Sequence, residues 1–325
     1  MRETCRICGN TDKNRIHTAR EMMFGTREEF DYLECGKCGT VQLIEIPDLE
    51  PYYPAEYYSL DRVVEIEIAK KLKRRIAARF AGKYLFTGRG IIGKFIVGQW
   101  NEVEKHFPKW LQSSYLPINF GSKILDFGCG TGSLLRTMRI FGFRDLTGAD
   151  AFVDADIRYR HGINIYKCGL VDLKPGYELI MLHHSFEHIS EPNAVLQEIR
   201  RLLAPGGVCL IRIPLINYAW EKYGVNWVQL DPPRHLFLYT EHSFRQLAES
   251  NGFLVDRVIY DSDEFQFFAS EQYEMDIAMS DPKAFRGDIN NSIFTAQQIK
   301  AWHNEAGELN ISGRGDQACF FLKLK

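Results

Sequence analysis

The sequence predicts an α/β fold in which helices cover both faces of a mostly parallel β-sheet. Three observations support it. Strand-like apolar runs alternate with helical segments from residue 123 onward, a glycine-rich turn follows the first of these strands within residues 124–135, and two cysteine pairs near the N-terminus lie outside the alternation. Such alternation is typical of a parallel sheet, because each crossover helix returns the chain to the same sheet edge.

The composition is that of a globular protein with a sizeable core. The chain has 325 residues, of which 45% are hydrophobic and 25% charged, and its formal net charge is −2. The near-neutral net charge argues against electrostatic binding of nucleic acid by the molecule as a whole. No apolar run approaches the roughly 18 residues that span a bilayer, and residues 1–10 lack the apolar region of a signal peptide. We therefore expect no membrane partner and a cytoplasmic location.

Two Cys-x-x-Cys pairs, in "CRICG" and "CGKCG", predict a small metal-binding module over residues 1–45. The spacing lets one tight turn offer two thiolates to one ion, and the following glycine lets backbone N–H groups point at sulfur. Four thiolates would complete a closed, structural zinc site, which makes the module a zinc ribbon. Two unrelated pairs of core or redox-active thiols are the alternative. The predicted ligands are Cys5, Cys8, Cys35 and Cys38.

Residues 46–120 are predicted to form a linker and a helical region. Residues 46–60 are rich in proline and tyrosine, as in a linker or packed loop. Apolar residues recur every four positions within 62–83, which predicts a helix. Its eight basic residues make it a candidate phosphate-binding surface, with a solvated helix face as the alternative.

Residues 121–325 are predicted to form the main sheet, with an insertion before its last strand. Helices are expected at about 131–141, 154–160, 193–203 and 241–251. The predicted strands cover residues 124–127, 145–149, 164–167, 179–182, 208–213, 254–260 and 318–324.

The stretch "ILDFGCGTGSLL", residues 124–135, narrows the class of ligand. Gly128, Gly130 and Gly132 alternate in the turn, but Ser133 stands where a nicotinamide-binding fingerprint needs its third glycine. The turn also lacks the Gly-Lys-Ser/Thr ending of a phosphate-binding loop. The pattern therefore disfavours both a dinucleotide and a nucleoside triphosphate.

Two acidic residues point instead to adenosine without a diphosphate. Asp126, inside the end of the first strand, would repel a pyrophosphate but tolerate a cationic or zwitterionic ligand. Asp150, at the end of the next predicted strand, is placed to accept hydrogen bonds from ribose hydroxyls. A tight turn with no ligand and a surface aspartate is the alternative.

Residues 124–135 closely resemble motif I of class I S-adenosylmethionine-dependent methyltransferases. Residues 177–214 resemble that family's fourth strand, next helix and fifth strand, including a Glu-His pair and a Leu-x-Pro-Gly-Gly turn. The resemblance, over about 120–260, implies a doubly wound, seven-stranded, Rossmann-like core that binds S-adenosylmethionine. The cofactor-binding residues it implies are Asp126, Gly128, Cys129, Gly130, Gly132, Asp150, Ala151, Gly169, Leu170 and His184.

Residues 226–240 supply the main candidates for acceptor chemistry, because they follow the fifth strand, beyond whose carboxyl end ligands bind. His235 is the candidate general base, since an imidazole with a pKa near 6.5 can take a proton from a hydroxyl as the methyl arrives. A structural, hydrogen-bonded histidine is the alternative. Arg234 could pair with a phosphate or carboxylate of the acceptor. The other predicted residues are His184 and Glu187, as catalytic groups, and His188, as a substrate-binding group.

The combination of ribbon and core is similar to bacterial sugar methyltransferases of deoxysugar and surface-polysaccharide pathways. This resemblance implies a saccharide-like small-molecule acceptor, such as a nucleotide-linked sugar, in polysaccharide biosynthesis. His235 and Tyr239-Thr240 match an element of the C-methylating members, but Arg234 occupies their glutamate position, which favours O- or N-methylation. Two alternatives stay open: an RNA-modifying methyltransferase that uses the ribbon and basic helix, and a non-catalytic zinc-ribbon interaction protein. The near-neutral charge weighs against RNA.

Overall fold

The computed structural model describes residues 4–53, 72–288 and 292–325, and a mixed eight-stranded sheet organises this part of the chain. Its strands are β4 Lys123–Phe127, β5 Asp145–Ala149, β6 Ile157–Tyr159, β7 Ile163–Tyr166, β8 Tyr177–His183, β9 Leu203–Pro214, β11 Phe253–Tyr260 and β12 Gln317–Leu324. Their order across the sheet is β11-β12-β9-β8-β4-β5-β7-β6.

Nine helices are assigned within the described residues, and two regions predicted from the sequence overlap the gaps between those residues. The helix predicted at 62–83 is described only from Leu72, and residues 54–60 of the Pro/Tyr-rich stretch lie outside the described part. The helices are α1 Leu72–Thr87, α2 Ile91–Gln99, α3 Asn101–Lys105, α4 Ser133–Phe141, α5 Pro192–Leu202, α6 Tyr218–Tyr223, α7 Glu241–Ser250, α8 Phe265–Glu274 and α9 Ala296–Ile311.

The prediction of seven strands and of a helix at 154–160 was wrong. All seven predicted segments contribute strands to the sheet, but β6 adds an eighth strand where that helix was expected. β6 pairs antiparallel with β7, and the hairpin turn between them places Gly162 at φ 80°, where glycine has no steric penalty. The pairing partner decided the conformation of this short segment, because its three residues are too few to show a period.

Helices cover both faces of the sheet, as predicted. In β8, Leu179 and Met181 belong to the hydrophobic cluster that contains residues of α1 and α4. Ile180 and Leu182, on the opposite face, belong to the cluster that contains residues of α5 and α7. Residues 179–182 of β8 are therefore an uninterrupted apolar run, as expected for a parallel strand buried on both sides.

The strand order reverses beside β4. The chain leaves β4 through α4 to reach its neighbour β5, and it later returns to β8 on the other side of β4. The crevice at the carboxyl ends of such neighbouring strands is where open α/β sheets bind ligands. Residues 128–133, which follow β4, and residues 184–188, which follow β8, therefore meet at the place where a site is expected.

The N-terminal module forms a second, four-stranded sheet that includes a piece of the core. Its strands β1 Arg15–Arg20, β2 Glu29–Glu34 and β3 Val41–Leu43 run antiparallel. The fourth strand is β10, Phe237–Leu238, which pairs with β3. This pairing ties the module to the loop that carries His235. Among the described helices, none is long and apolar enough to cross a bilayer.

Candidate functional site

The glycine turn after β4 leaves backbone exposed where side chains would not fit. Gly128, Gly130 and Gly132 have φ values of 75°, 52° and 76°, which glycine adopts without strain. A Cβ on Gly128 would lie 2.5 Å from the Cβ of Ser185, and one on Gly132 would lie 2.6 Å from Cδ1 of Ile165. The turn therefore forms a cradle in which a ligand can approach the main chain closely.

Asp150 fastens this cradle, a role that the sequence did not reveal. One carboxylate oxygen accepts a hydrogen bond from the Gly130 amide at 2.8 Å, and the other accepts one from the Phe152 amide at 2.8 Å. The aspartate is 7% exposed. Each oxygen keeps a further lone pair, so Asp150 can hold the turn and still accept from a ligand hydroxyl.

Asp126 brings a buried acid close to the same turn. Burial, and then the charge of Asp150, raise the pKa of Asp126 to about 8. Burial and these two carboxylates also raise the pKa of the Cys129 thiol. These acidic groups therefore fit a cofactor with a positive charge, because such a charge would stabilise the buried Asp126 carboxylate.

The remaining residues implied for the cofactor lie around the ends of β5 and β7. Ala151 is exposed beside Asp150. Gly169 donates its backbone N–H to Asp172 at 3.1 Å. The Leu170 side chain is buried in the core, and its carbonyl accepts a hydrogen bond from Arg201 at 3.0 Å. Gly169 and Leu170 thus form a fixed turn, and any contact with a ligand would involve its backbone.

A cavity of about 430 Å³ opens at the carboxyl ends of β8 and β9. His184, at its wall, is adjacent in sequence to Ser185, which packs against Gly128, so the cavity neighbours the glycine cradle. The cavity wall is rich in polar groups. The sequence-based prediction did not include the polar residues from β9, α8, β12 and the loops around them. The missed polar residues are Arg212, Gln229, Asp231, Asp263, Gln266, Asp316 and Gln317.

His184 is held by charged neighbours. Its φ is 48°, in the left-handed region, and its Nε2 contacts Nη1 of Arg212. Nε of Arg212 donates to Asp261 at 2.7 Å. A guanidinium is always a donor, so Nε2 of His184 accepts from it and is not available to a substrate proton. Nδ1 of His184 faces Glu187 Oε1 at 3.4 Å.

Glu187 is a buried carboxylate behind His184, His188 and His235 of this wall. It is 0% exposed; Nδ1–H of His184 faces its Oε1 at 3.4 Å, and Oε2 has no hydrogen-bond donor in the described chain. Burial acts to raise its pKa, but the adjacent His184 and the charge of the other imidazoles lower the pKa to about 2. Glu187 is therefore a buried anion surrounded by histidines.

His235 and His188 present oriented rings beside Glu187. Nδ1 of His235 lies 2.7 Å from the Gln229 carbonyl oxygen, and Nδ1 of His188 lies 2.8 Å from that of Arg234. Nε2 of His235 lies 3.9 Å from Glu187 Oε1. Burial, and then the neighbouring His235, lower the pKa of His188.

Arg234 is placed differently from the sequence-based expectation. Its side chain is 0% exposed and pairs with Asp231, with Nε donating to Oδ2 at 2.9 Å. Nη1 lies 3.9 Å from Glu21 Oε1, and the guanidinium covers the ring of Phe24 at 4.9 Å. These contacts use Arg234 to brace the loop of His235 rather than to meet an acceptor anion.

The four N-terminal cysteines converge as the spacing predicted. The sulfurs of Cys5 and Cys38 are 3.7 Å apart, and those of Cys8 and Cys35 are 3.5 Å apart. Four thiolates at about 2.3 Å from a tetrahedral zinc lie roughly 3.8 Å from one another. The backbone N–H of Lys37 points at the Cys35 sulfur at 3.4 Å. The cluster therefore fits a metal ion.

A family model described as "Methyltransferase domain" matches residues 68–258, which is more than half of the chain. The chain is 33% identical over 107 residues to the ubiquinone biosynthesis O-methyltransferase of Psychrobacter cryohalolentis, covering 28% of this chain and 40% of the relative. It is 30% identical over 145 residues to the protein of the same name from Maricaulis maris, covering 40% and 54%. The chain thus matches about half or less of the length of these curated relatives.

Among solved structures, the chain is similar to mycolic acid cyclopropane synthase CmaA1 complexed with SAH and CTAB. The identity is 18% and the TM-score is 0.42, over 68% of this chain and 84% of that chain. A TM-score at this level carries no functional argument. These comparisons lend no support to the resemblance to sugar-pathway enzymes.

Proposed function

The chain belongs to the methyltransferase-domain family, which confirms the predicted class of enzyme, and from this premise we propose that it methylates a hydroxyl of a small-molecule acceptor with S-adenosylmethionine. The observation that supports the proposal is the position of the imidazole-lined cavity next to the glycine cradle, through the neighbouring residues His184 and Ser185. In this proposal the cofactor and the acceptor bind in one crevice of the sheet.

The glycine cradle and the two aspartates are the proposed cofactor site. The backbone of Gly128–Gly132 would hold the methionine portion, and Asp150 would accept hydrogen bonds from the ribose. Asp126 lies in the anionic part of the site, where a cationic group is stabilised. When bound, S-adenosylmethionine supplies an electrophilic methyl group on a positively charged sulfur. The residues of this chain have to orient the acceptor in line with it.

His235 is the proposed base in this reaction. The Gln229 carbonyl can only accept, so Nδ1 of His235 carries the ring proton and Nε2 presents its lone pair at the cavity wall. As the acceptor oxygen bonds to the methyl group, Nε2 takes the hydroxyl proton. Asp231 Oδ2, at 3.7 Å, and Glu187 Oε1 stabilise the imidazolium that forms.

A polyhydroxylated acceptor, such as a saccharide, fits the cavity better than an apolar one. Its wall carries carboxamide groups from Gln229, Gln266 and Gln317 and carboxylate and imidazole groups from other residues. Such groups pair with hydroxyls and would be left unsatisfied by an apolar acceptor. The names of the curated relatives favour a second candidate, a ring hydroxyl of a quinone precursor.

The test is transfer of an isotope-labelled methyl group to a panel of acceptors. We expect label on free or nucleotide-linked sugars, and alkali-stable ether linkage of the methyl group. Labelling of catechols alone would establish the second candidate. If the chain binds S-adenosylmethionine but labels neither class, the proposed reaction is wrong.

The four-cysteine cluster is proposed to hold a structural zinc ion. Its four sulfurs fill a tetrahedron, which leaves no position for a substrate. Elemental analysis of the purified chain should find at least one zinc per chain.

A further inference from the structure

Three potential metal ligands, apart from the four cysteines, meet beside the cavity; His188 and His235 line it, and Glu187 lies buried next to them. Glu187 and His188 come from the turn after β8, and His235 comes from the loop before β10. One ligand atom of each lies within 4.8 Å of those of the other two. Two imidazoles and one carboxylate are a ligand set for divalent first-row transition metals, typically with positions left open.

The two rings are oriented as metal-binding imidazoles are. Each Nδ1 faces a backbone carbonyl oxygen, that of Gln229 for His235 and that of Arg234 for His188. A carbonyl cannot donate, so each Nδ1 carries the proton and each Nε2 keeps its lone pair. A hydrogen bond from the second ring nitrogen to a carbonyl is the usual support of a metal-bound histidine.

Glu187 provides the second, independent observation. Its carboxylate is 0% exposed, and Oε2 has no hydrogen-bond donor in the described chain. Oε1 faces Nδ1–H of His184 at 3.4 Å and Nε2 of His235 at 3.9 Å. A buried carboxylate with so few partners is costly. Two lone-pair nitrogens and a buried anion with one unpartnered oxygen favour a positive charge between them.

We propose that Glu187, His188 and His235 bind a divalent transition-metal cation that coordinates the acceptor hydroxyl. Ligand atoms about 2.1 Å from such an ion lie up to about 4.2 Å apart, so binding draws the three groups slightly together. The proposal rests on the proposed function for its catalytic part and changes one step of it. Nε2 of His235 becomes a ligand rather than the base.

The cation lowers the pKa of the coordinated hydroxyl. The O–H bond breaks and its proton passes to solvent in the open cavity. The resulting oxygen then takes the methyl group. The carbon–sulfur bond breaks with its electron pair on sulfur, which becomes a neutral thioether.

The test is a cobalt titration of the full-length chain whose cysteine cluster has first been loaded with zinc. We expect one further equivalent of Co²⁺, with weak visible bands and without the intense thiolate-to-cobalt absorption of a cysteine site. Glu187→Gln keeps the shape of the side chain and should lower the cobalt affinity at least tenfold, as should His188→Gln. His242→Gln, which changes an exposed histidine, is the matched control and should bind cobalt as the wild type does.

The possible outcomes separate the metal site from the proposed function. If zinc-loaded wild-type protein takes up no cobalt, there is no such site, and this conclusion does not depend on how well a variant folds. If Glu187→Gln binds cobalt as tightly as the wild type does, Glu187 is not a ligand and the proposed site is wrong. Equal methyl transfer with and without the second metal would show that the cation has no catalytic part and that His235 acts as the base. Cobalt uptake without transfer to any acceptor would leave the metal site standing and refute the proposed function instead.

Discussion

The Tyr32 hydroxyl donates a hydrogen bond to the backbone carbonyl of His235 at 3.0 Å. Tyr32 belongs to β2 of the N-terminal module and is fully buried. Two further contacts hold the same loop: β10 pairs with β3, and the Thr240 hydroxyl donates to the Cys38 carbonyl at 2.9 Å. The module that carries the four cysteines therefore positions a central residue of the proposed acceptor site, although its own metal would not touch a substrate.

Cys35→Ser should remove the metal of the four-cysteine cluster and lower methyl transfer as well. The fourth thiolate is lost, and metal binding contributes folding energy to a module of this size. The support of the His235 loop through β3 and Tyr32 weakens with it. Zinc content by elemental analysis and turnover with excess cofactor test this. Cys168→Ser, which changes a cysteine outside the cluster, should alter neither, and undiminished zinc in Cys35→Ser would contradict the four-thiolate assignment.

Tyr32→Phe isolates the positioning effect from the metal. It leaves the His235 carbonyl without its donor, at a cost of about 1–3 kcal/mol in stability for a buried group, and it loosens the loop. We expect normal zinc content, unchanged cofactor affinity and reduced turnover. Turnover equal to that of the wild type would show that the other contacts suffice.

Asp150→Ala should weaken cofactor binding by at least about tenfold while the fold persists. The change removes two hydrogen bonds to the cradle, those from Gly130 and Phe152, as well as the proposed ribose contact. Hydrogen bonds to a charged group contribute about 1.5–3 kcal/mol each. Calorimetric titration with S-adenosylmethionine measures the loss. Asp154→Ala, an exposed change in the following loop, is the control and should bind normally.

The raised pKa of Asp126 predicts that cofactor binding releases a proton. At pH 7 the carboxyl, with a pKa of about 8, is mostly protonated in the free protein. A positively charged ligand favours the carboxylate, so the affinity should rise from pH 6 to pH 8 and then level off. Calorimetry in two buffers with different protonation enthalpies reports the proton directly. Asp126→Asn should abolish the release, and an equal release by this variant would assign the proton to another group.

The same carboxyl should make the free protein less stable as the pH rises. Its folded pKa lies above the ordinary value of 3.8, so the folded state binds more protons than the unfolded state between about pH 4 and pH 8. The contribution to stability is present below pH 4 and is lost as the pH approaches 8. Urea unfolding across this range should show a smaller decline for Asp126→Asn than for the wild type.

His235→Gln should reduce turnover by roughly 10²–10⁴-fold, the usual contribution of acid–base catalysis, and leave the affinity for S-adenosylmethionine unchanged. The loss is expected whether Nε2 acts as the base or as a metal ligand. Single-turnover rates with saturating cofactor measure it, with His242→Gln as the matched control. A rate close to that of the wild type would exclude His235 from the reaction.

The main sheet and its ligand-binding edge could be predicted from local sequence patterns. The glycine turn with Asp126 and Asp150, and the close cysteine pairs, each depend on residues whose spacing is set by one strand, turn or knuckle. The short edge strand Ile157–Tyr159 could not be predicted from local patterns, because its conformation depends on pairing with β7. The apolar period predicted for residues 62–83 was likewise an incomplete guide. Ile76 and Phe80 are exposed, and Ala78 and Ala81 of the same helix are buried instead.

The sequence by itself determined the fold class, the cysteine cluster and the cradle, because each arises from residues close together in the chain. Only the tertiary structure decided which side chains share the acceptor cavity and what each is free to do. The Arg234 guanidinium is paired with Asp231, and Nε2 of His184 accepts a hydrogen bond from Arg212. Oε2 of Glu187, in contrast, is left without a hydrogen-bond donor in the described chain, and Oε1 lies near Nε2 of His235 from a distant loop. Such partners meet through packing between elements far apart in sequence, and no local spacing encodes them.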